Sequence, residues 1–66
     1  MKARVNGAEV TIPDGSTVLE YLISKGTRPE LVAVELNEKV LEKKSYAETR
    51  ILDGDVVEIV RFVGGG

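Results

Sequence analysis

The pair Asn6-Gly7 constrains this chain more than any other two residues, because it stands between two segments of alternating polarity. A two-residue hairpin turn needs positive φ at both central positions, and Asn and Gly tolerate that best. Before the pair, Met1, Ala3 and Val5 alternate with Lys2 and Arg4; after it, Val10 and Ile12 alternate with Glu9 and Thr11. That period of two predicts half-buried strands on both sides of the turn. Pro13-Asp14-Gly15 then ends the second strand, Pro with a fixed φ and Gly at a left-handed position.

One helix follows. Thr17 is a suitable N-cap and Glu20 lies three residues on, the spacing of a capping box; Ser16 is the alternative cap. Val18, Leu19, Leu22 and Ile23 predict an apolar stripe, and Lys25-Gly26 suits the C-terminal end. About eight residues of helix are too few to stand alone, so this one must pack on a sheet.

Beyond a connector with Pro29, Leu31 to Asn37 reads as a strand, with Val32, Val34 and Leu36 alternating against Ala33 and Glu35. Asn37-Glu38 reads as a turn and Lys39-Val40-Leu41 as a short edge strand. Glu42 to Thr49 is polar, with a single helical turn expected around Ser45-Tyr46-Ala47, and Tyr21 and Tyr46 are expected as peripheral packing. Asp53-Gly54-Asp55 is a tight turn; it lacks the later ligands of a calcium loop. Val56 to Val63 is the best strand, with Val57, Ile59 and Arg61 on one face and Val56, Glu58, Val60 and Phe62 on the other. It belongs in the centre of the sheet, beside the first strand. The order strand, strand, helix, strand, short strand, strand predicts an α+β β-grasp: a mixed sheet of four or five strands with one helix packed across it.

Composition excludes most chemistry. The chain has 66 residues, with 9 Lys plus Arg against 11 Asp plus Glu and a net charge of −2. A nucleic-acid binder needs a basic stripe, which this balance does not supply. With no Cys there are no disulfides, thiolate nucleophiles or cysteine-bound zinc, and with no His the usual general base is missing. No apolar run approaches the roughly 20 residues of a membrane helix, and Met1 to Gly7 lacks the apolar core of a signal peptide. The expectation is a cytoplasmic domain, monomeric when free, that does not touch membranes or nucleic acid. Lys43, Lys44 and Arg50, flanked by Glu42 and Glu48, read as a solvated face. No nucleophile–base set is visible, so an independent enzyme is the least favoured class.

What remains is Gly64-Gly65-Gly66. Domain boundaries are expected at 1–63 for the folded body and 64–66 for a tail. A frayed end is the plain reading. Against it, the glycines leave a strong strand with no linker, and they place a terminal carboxylate at the tip. Three extended residues reach roughly 10 Å, and without side chains they can enter a narrow channel in a partner enzyme. A carboxylate reacts once its oxygen becomes a leaving group, as in an acyl-adenylate. Val60 and Phe62, with Glu58 between Val56 and Val60 on the same face, form an exposed surface beside that tail and are expected to dock partners.

Several pieces together resemble one family. They are Met1 to Gly7, Pro13-Asp14-Gly15-Ser16-Thr17-Val18, Val32 to Asn37, Leu52 to Val60, and Phe62 to Gly66. The chain resembles end to end the ThiS family, the ubiquitin-like sulfur carriers of thiamine biosynthesis. The resemblance implies a carrier, not an enzyme. Gly66 would be adenylated by an E1-like activating enzyme using ATP and magnesium, with no cofactor bound permanently. A sulfur-donor system would turn the adenylate into a thiocarboxylate on Gly66, which would give sulfur to thiazole synthase. The sibling readings are a molybdopterin-synthase small subunit and a ubiquitin-like protein modifier; shortness favours the thiamine branch. A β-grasp binding module without terminal chemistry is the contrasting class.

Overall fold

The computed structural model describes residues 1–62. Strand β1 (Lys2–Val5) pairs antiparallel with β2 (Ala8–Thr11). Asn6 and Gly7 between them have φ of +50° and +84°, as the turn signal requires. Helix α1 (Val18–Ser24) follows, and a 3-10 turn at Pro29–Leu31 leads into β3 (Val32–Leu36). A second hairpin turns at Asn37 and Glu38, both with positive φ, into the two-residue strand β4 (Lys39–Val40). A 3-10 turn at Lys43–Ser45 opens the long loop before β5 (Val56–Arg61). The sheet order is β2-β1-β5-β3-β4. β5 is therefore central, parallel to β1 and antiparallel to β3.

The core lies between one sheet face and the helix. Ala3, Val5, Ile12, Val32, Val34 and Val57 meet Val18, Tyr21 and Leu22 there, with Tyr46 and Ile51 from the loop. The capping box is present in full: Glu20 N donates to Thr17 Oγ1 at 3.1 Å and Thr17 N donates to Glu20 Oε1 at 2.8 Å. The loop completes the cap. Val18 N donates to Thr49 O and Leu19 N to Tyr46 O, at 2.8 and 3.0 Å. The free N–H groups of the helix's first turn are thus paired without water, the requirement for an end packed on protein. At the other end Gly26 takes φ +69°, the left-handed position that terminates a helix. The Met1 ammonium donates to Ile12 O at 3.1 Å and to Asp14 Oδ1 at 2.8 Å. That hydrogen bond and charge hold the Asp14 carboxyl below the usual carboxylate range.

Three expectations need correction. Ile23 was expected on the buried stripe but is 61% exposed, and Tyr21 takes its place. Residues 18, 21 and 22 lie within one face of a 3.6-residue turn, whereas residue 23 is carried about 140° around from residue 18. Neither tyrosine is peripheral: Tyr46 is 1% exposed, among the largest fully buried side chains, and Tyr21 is buried too. The Tyr46 ring can go inside because its hydroxyl finds an acceptor there, Val32 O at 3.2 Å. The single turn expected at Ser45 to Ala47 lies two residues earlier, at Lys43–Ser45.

Candidate functional site

The outer face of β5 follows from period-two alternation. Val57 packs inward on the core, and Ile59 packs against it, half-buried. Val56, Glu58, Val60 and Phe62 therefore turn outward, and Val60 and Phe62 are 58% and 53% exposed. Among the described residues no α-helix covers this side, since α1 lies across the other. The sequence expectation of an exposed face at Glu58, Val60 and Phe62 agrees with this placement. Gly64, Gly65 and Gly66, and the Val63 end of the expected strand, lie outside the described residues.

Strand pairing gives this face its charge. Glu35 of β3 and Glu58 of β5 are directly opposite in the antiparallel register, both exposed. Like charges at such positions destabilise a sheet. Among the described residues, neither carboxylate forms an ion pair. The face therefore joins an acidic pair to an apolar end, Val60 and Phe62.

Two contacts locate Phe62, one to its backbone and one to its ring. Its backbone N–H donates to Leu31 O at 2.9 Å, which continues the β3–β5 ladder one step past Arg61. The Lys43 ammonium lies 5.1 Å from the centre of its ring. The same ammonium donates to Val32 O at 3.0 Å, the oxygen that also accepts from the Tyr46 hydroxyl. Burial pushes the Tyr46 phenol above its ordinary pKa. Sequence reasoning missed Lys43 as a neighbour of this face and Tyr46 as the buried group that shares its anchor at Val32 O. No spacing rule connects residue 43 to residue 62; only the strand register does.

Other candidates are accounted for locally. Asp53 Oδ1 accepts from Lys2 N at 2.8 Å, and Asp55 accepts from Leu52 N at 2.8 Å and Asn37 Nδ2 at 3.0 Å. The Leu52 bond closes the turn itself, and the other two tie that turn to β1 and to the Asn37 hairpin. Among the described residues, no three His, Cys, Asp or Glu side chains gather to hold a metal ion. Lys43, Lys44 and Arg50 do not form one patch. Lys44 lies 4.0 Å from Glu42 and Arg50 donates to Gly15 O, while Lys43 is engaged at Val32 and Phe62. A hollow of about 290 Å³ between the helix end and β5 is rimmed by Lys25 and Arg61, and among the described residues no carboxylate lines it.

A five-stranded mixed sheet, one helix across it and a central strand that ends in an exposed apolar rim define a ubiquitin-like β-grasp protein. The crystal structure of a thiamine biosynthesis protein (ThiS) from Geobacter metallireducens matches it with a TM-score of 0.84 at 40% identity, covering all of both chains. A solution structure of a thiamine biosynthesis protein from the same organism gives 0.82 at 39% identity, over all of this chain and 88% of that one. The ThiS family model matches residues 2–66. The chain belongs to the ThiS family.

Its relatives fall into two kinds. The sulfur carrier protein ThiS of Bacillus subtilis is 39% identical over 64 residues, covering 96% of this chain and 97% of that protein. Thiazole synthases of Paramagnetospirillum magneticum and Magnetococcus marinus are 42% and 36% identical over 66 residues. This chain spans only 20% of the length of each.

Proposed function

We propose that this chain carries sulfur for thiazole formation in thiamine biosynthesis, with the Gly66 carboxylate as its reactive group. The observation that carries the reading is the family match, which runs through residue 66 and so takes in the glycines as well as the body. The near-full-length likeness to a sulfur carrier protein and the shared segment in two thiazole synthases support it.

The chemistry follows from the group. A terminal carboxyl, with a pKa of about 3.3–3.7, is an unreactive anion near neutral pH. One of its oxygens attacks the α-phosphorus of ATP, pyrophosphate leaves, and an acyl-adenylate forms. A hydrosulfide equivalent then attacks the carbonyl carbon; the C–O bond to phosphate breaks and AMP leaves, giving a thiocarboxylate. An E1-like enzyme with ATP and magnesium supplies the first step, a sulfur donor the second, and thiazole synthase takes the sulfur. This chain supplies the handle: Val60 and Phe62 as apolar contacts and Glu58 as a charged one. In this reading it is a substrate, not a catalyst, works in the cytoplasm where ATP is available, and is free as a monomer.

The test is intact-mass measurement of the protein from its native host. Exchange of one oxygen for sulfur, placed on Gly66 by fragmentation, is the expected result. Placement matters because oxidation of Met1 gives nearly the same nominal mass. Deleting Gly65 and Gly66 leaves the melting temperature unchanged and abolishes ATP-dependent pyrophosphate release. Continued activation of the truncated chain overturns the proposal. Product from a molybdopterin synthase and none from a thiazole synthase overturns the thiamine assignment.

A further inference from the structure

We propose that Lys43 is a positioning residue: it fixes the Phe62 ring in the orientation in which the activating partner meets it. The partner's identity rests on the carrier reading above; the contact itself does not. Lys43 has two attachments, one to Val32 O at 3.0 Å and one over the Phe62 ring at 5.1 Å. The first makes the second persistent, because a long side chain anchored at a carbonyl no longer sweeps the solvent. That carbonyl also accepts from Tyr46 Oη, so the anchor sits on a buried tyrosine. Lys44, the next residue, is 80% exposed and among the described residues pairs with Glu42 alone, at 4.0 Å.

Phe62 is half-exposed and its backbone is tied to Leu31 O. Its ring is thus the part left to order when a partner binds, and ordering side chains at an interface opposes binding. A cation held over the ring removes part of that cost beforehand. An exposed cation–π contact is worth about two- to fivefold in an equilibrium constant. Lys43→Met keeps most of the stem, removes the charge and leaves Val32 O its bond from Tyr46. The net charge changes equally in Lys44→Met, which touches no ring.

Two measurements decide the proposal. The first is steady-state adenylation by a purified E1-like adenylating enzyme with ATP and magnesium, read by pyrophosphate release. Lys43→Met raises KM for the carrier about two- to fivefold with kcat unchanged, Lys43→Arg restores it, and Lys44→Met has no effect. Equal effects of the two Met variants, or none from Lys43→Met, overturn the proposal. The second is proton NMR of the free protein. The Lys43 ε-methylene resonates upfield of that of Lys44, and Phe62→Leu abolishes the difference; its absence from the unsubstituted protein also overturns the proposal. If the unsubstituted chain is not adenylated at all, the carrier reading fails, and the ring-current shift alone decides whether Lys43 holds Phe62.

Discussion

The side chain of Asn6 stands in for a strand residue beside Ile59. Its Oδ1 accepts from Ile59 N at 2.7 Å and its Nδ2 donates to Ile59 O at 3.3 Å. Asn37 does related work at the other end of β5, with Oδ1 accepting from Val56 N at 2.9 Å and its backbone N–H donating to Val56 O at 2.8 Å. Both asparagines have φ near +50°. Each hairpin turn is therefore also a clamp on the central strand.

Asn6→Gly separates these two duties. Glycine keeps the left-handed backbone at no steric cost and loses both side-chain bonds. The expected loss is about 1–3 kcal/mol, two bonds at roughly 0.5–1.5 each, measured by urea unfolding. Asn6→Asp keeps the acceptor and falls between. A Gly variant as stable as the parent shows that the bonds to Ile59 contribute nothing.

Glu58 faces Glu35, so Glu58→Gln removes a repulsion. Stability rises by about 0.2–1 kcal/mol, most at low salt. If Glu58 also meets a cation on the activating enzyme, the same variant binds that enzyme more weakly. A change that raises both stability and affinity removes Glu58 from the docking face.

Phe62→Asp places a charge on the exposed rim. If the proposed carrier function holds, it lowers affinity for the activating enzyme by about tenfold or more, on the order of a hot-spot truncation, with little change in melting temperature. Calorimetric binding and thermal unfolding on one preparation check the ordering. A large fall in melting temperature with intact binding makes Phe62 a structural residue.

Tyr46 gives a signed dependence on pH. Burial raises its pKa, so the folded chain holds the phenol proton more tightly than the unfolded chain. Its contribution is complete below the unfolded value of about 10 and is lost as pH rises through the higher folded value. Tyr46→Phe costs about 0.5–1.5 kcal/mol near neutral pH through the bond to Val32 O. The gap between parent and variant then narrows above pH 10. A gap that stays constant to high pH shows that Tyr46 does not titrate differently on folding.

The parts legible in the sequence were those written by local rules. Asn6-Gly7 specified a hairpin, Thr17 and Glu20 a capping box, and alternation from Val56 put Val57 inward and Phe62 outward. The central place of β5 followed from apolar residues on both its faces. What local rules do not carry is which distant residues share a contact. Tyr46 looked peripheral because its neighbours are polar. It is buried because Val32 O, fourteen residues away, accepts its hydroxyl. Ile23 looked buried because apolar identity does not measure angle around a seven-residue helix. The bond from Lys43 to Val32 and its place over Phe62 belong to the same non-local class.

The place of β5 has a consequence for synthesis. It is made after the other four strands and yet lies between β1 and β3. A nascent chain lacking Val56–Arg61 has two hairpins with no shared neighbour, so the sheet waits for nearly the whole body to leave the ribosome. A chain cut short before β5 therefore lacks the strand that joins its two hairpins, cannot assemble this sheet and stays open to proteolysis.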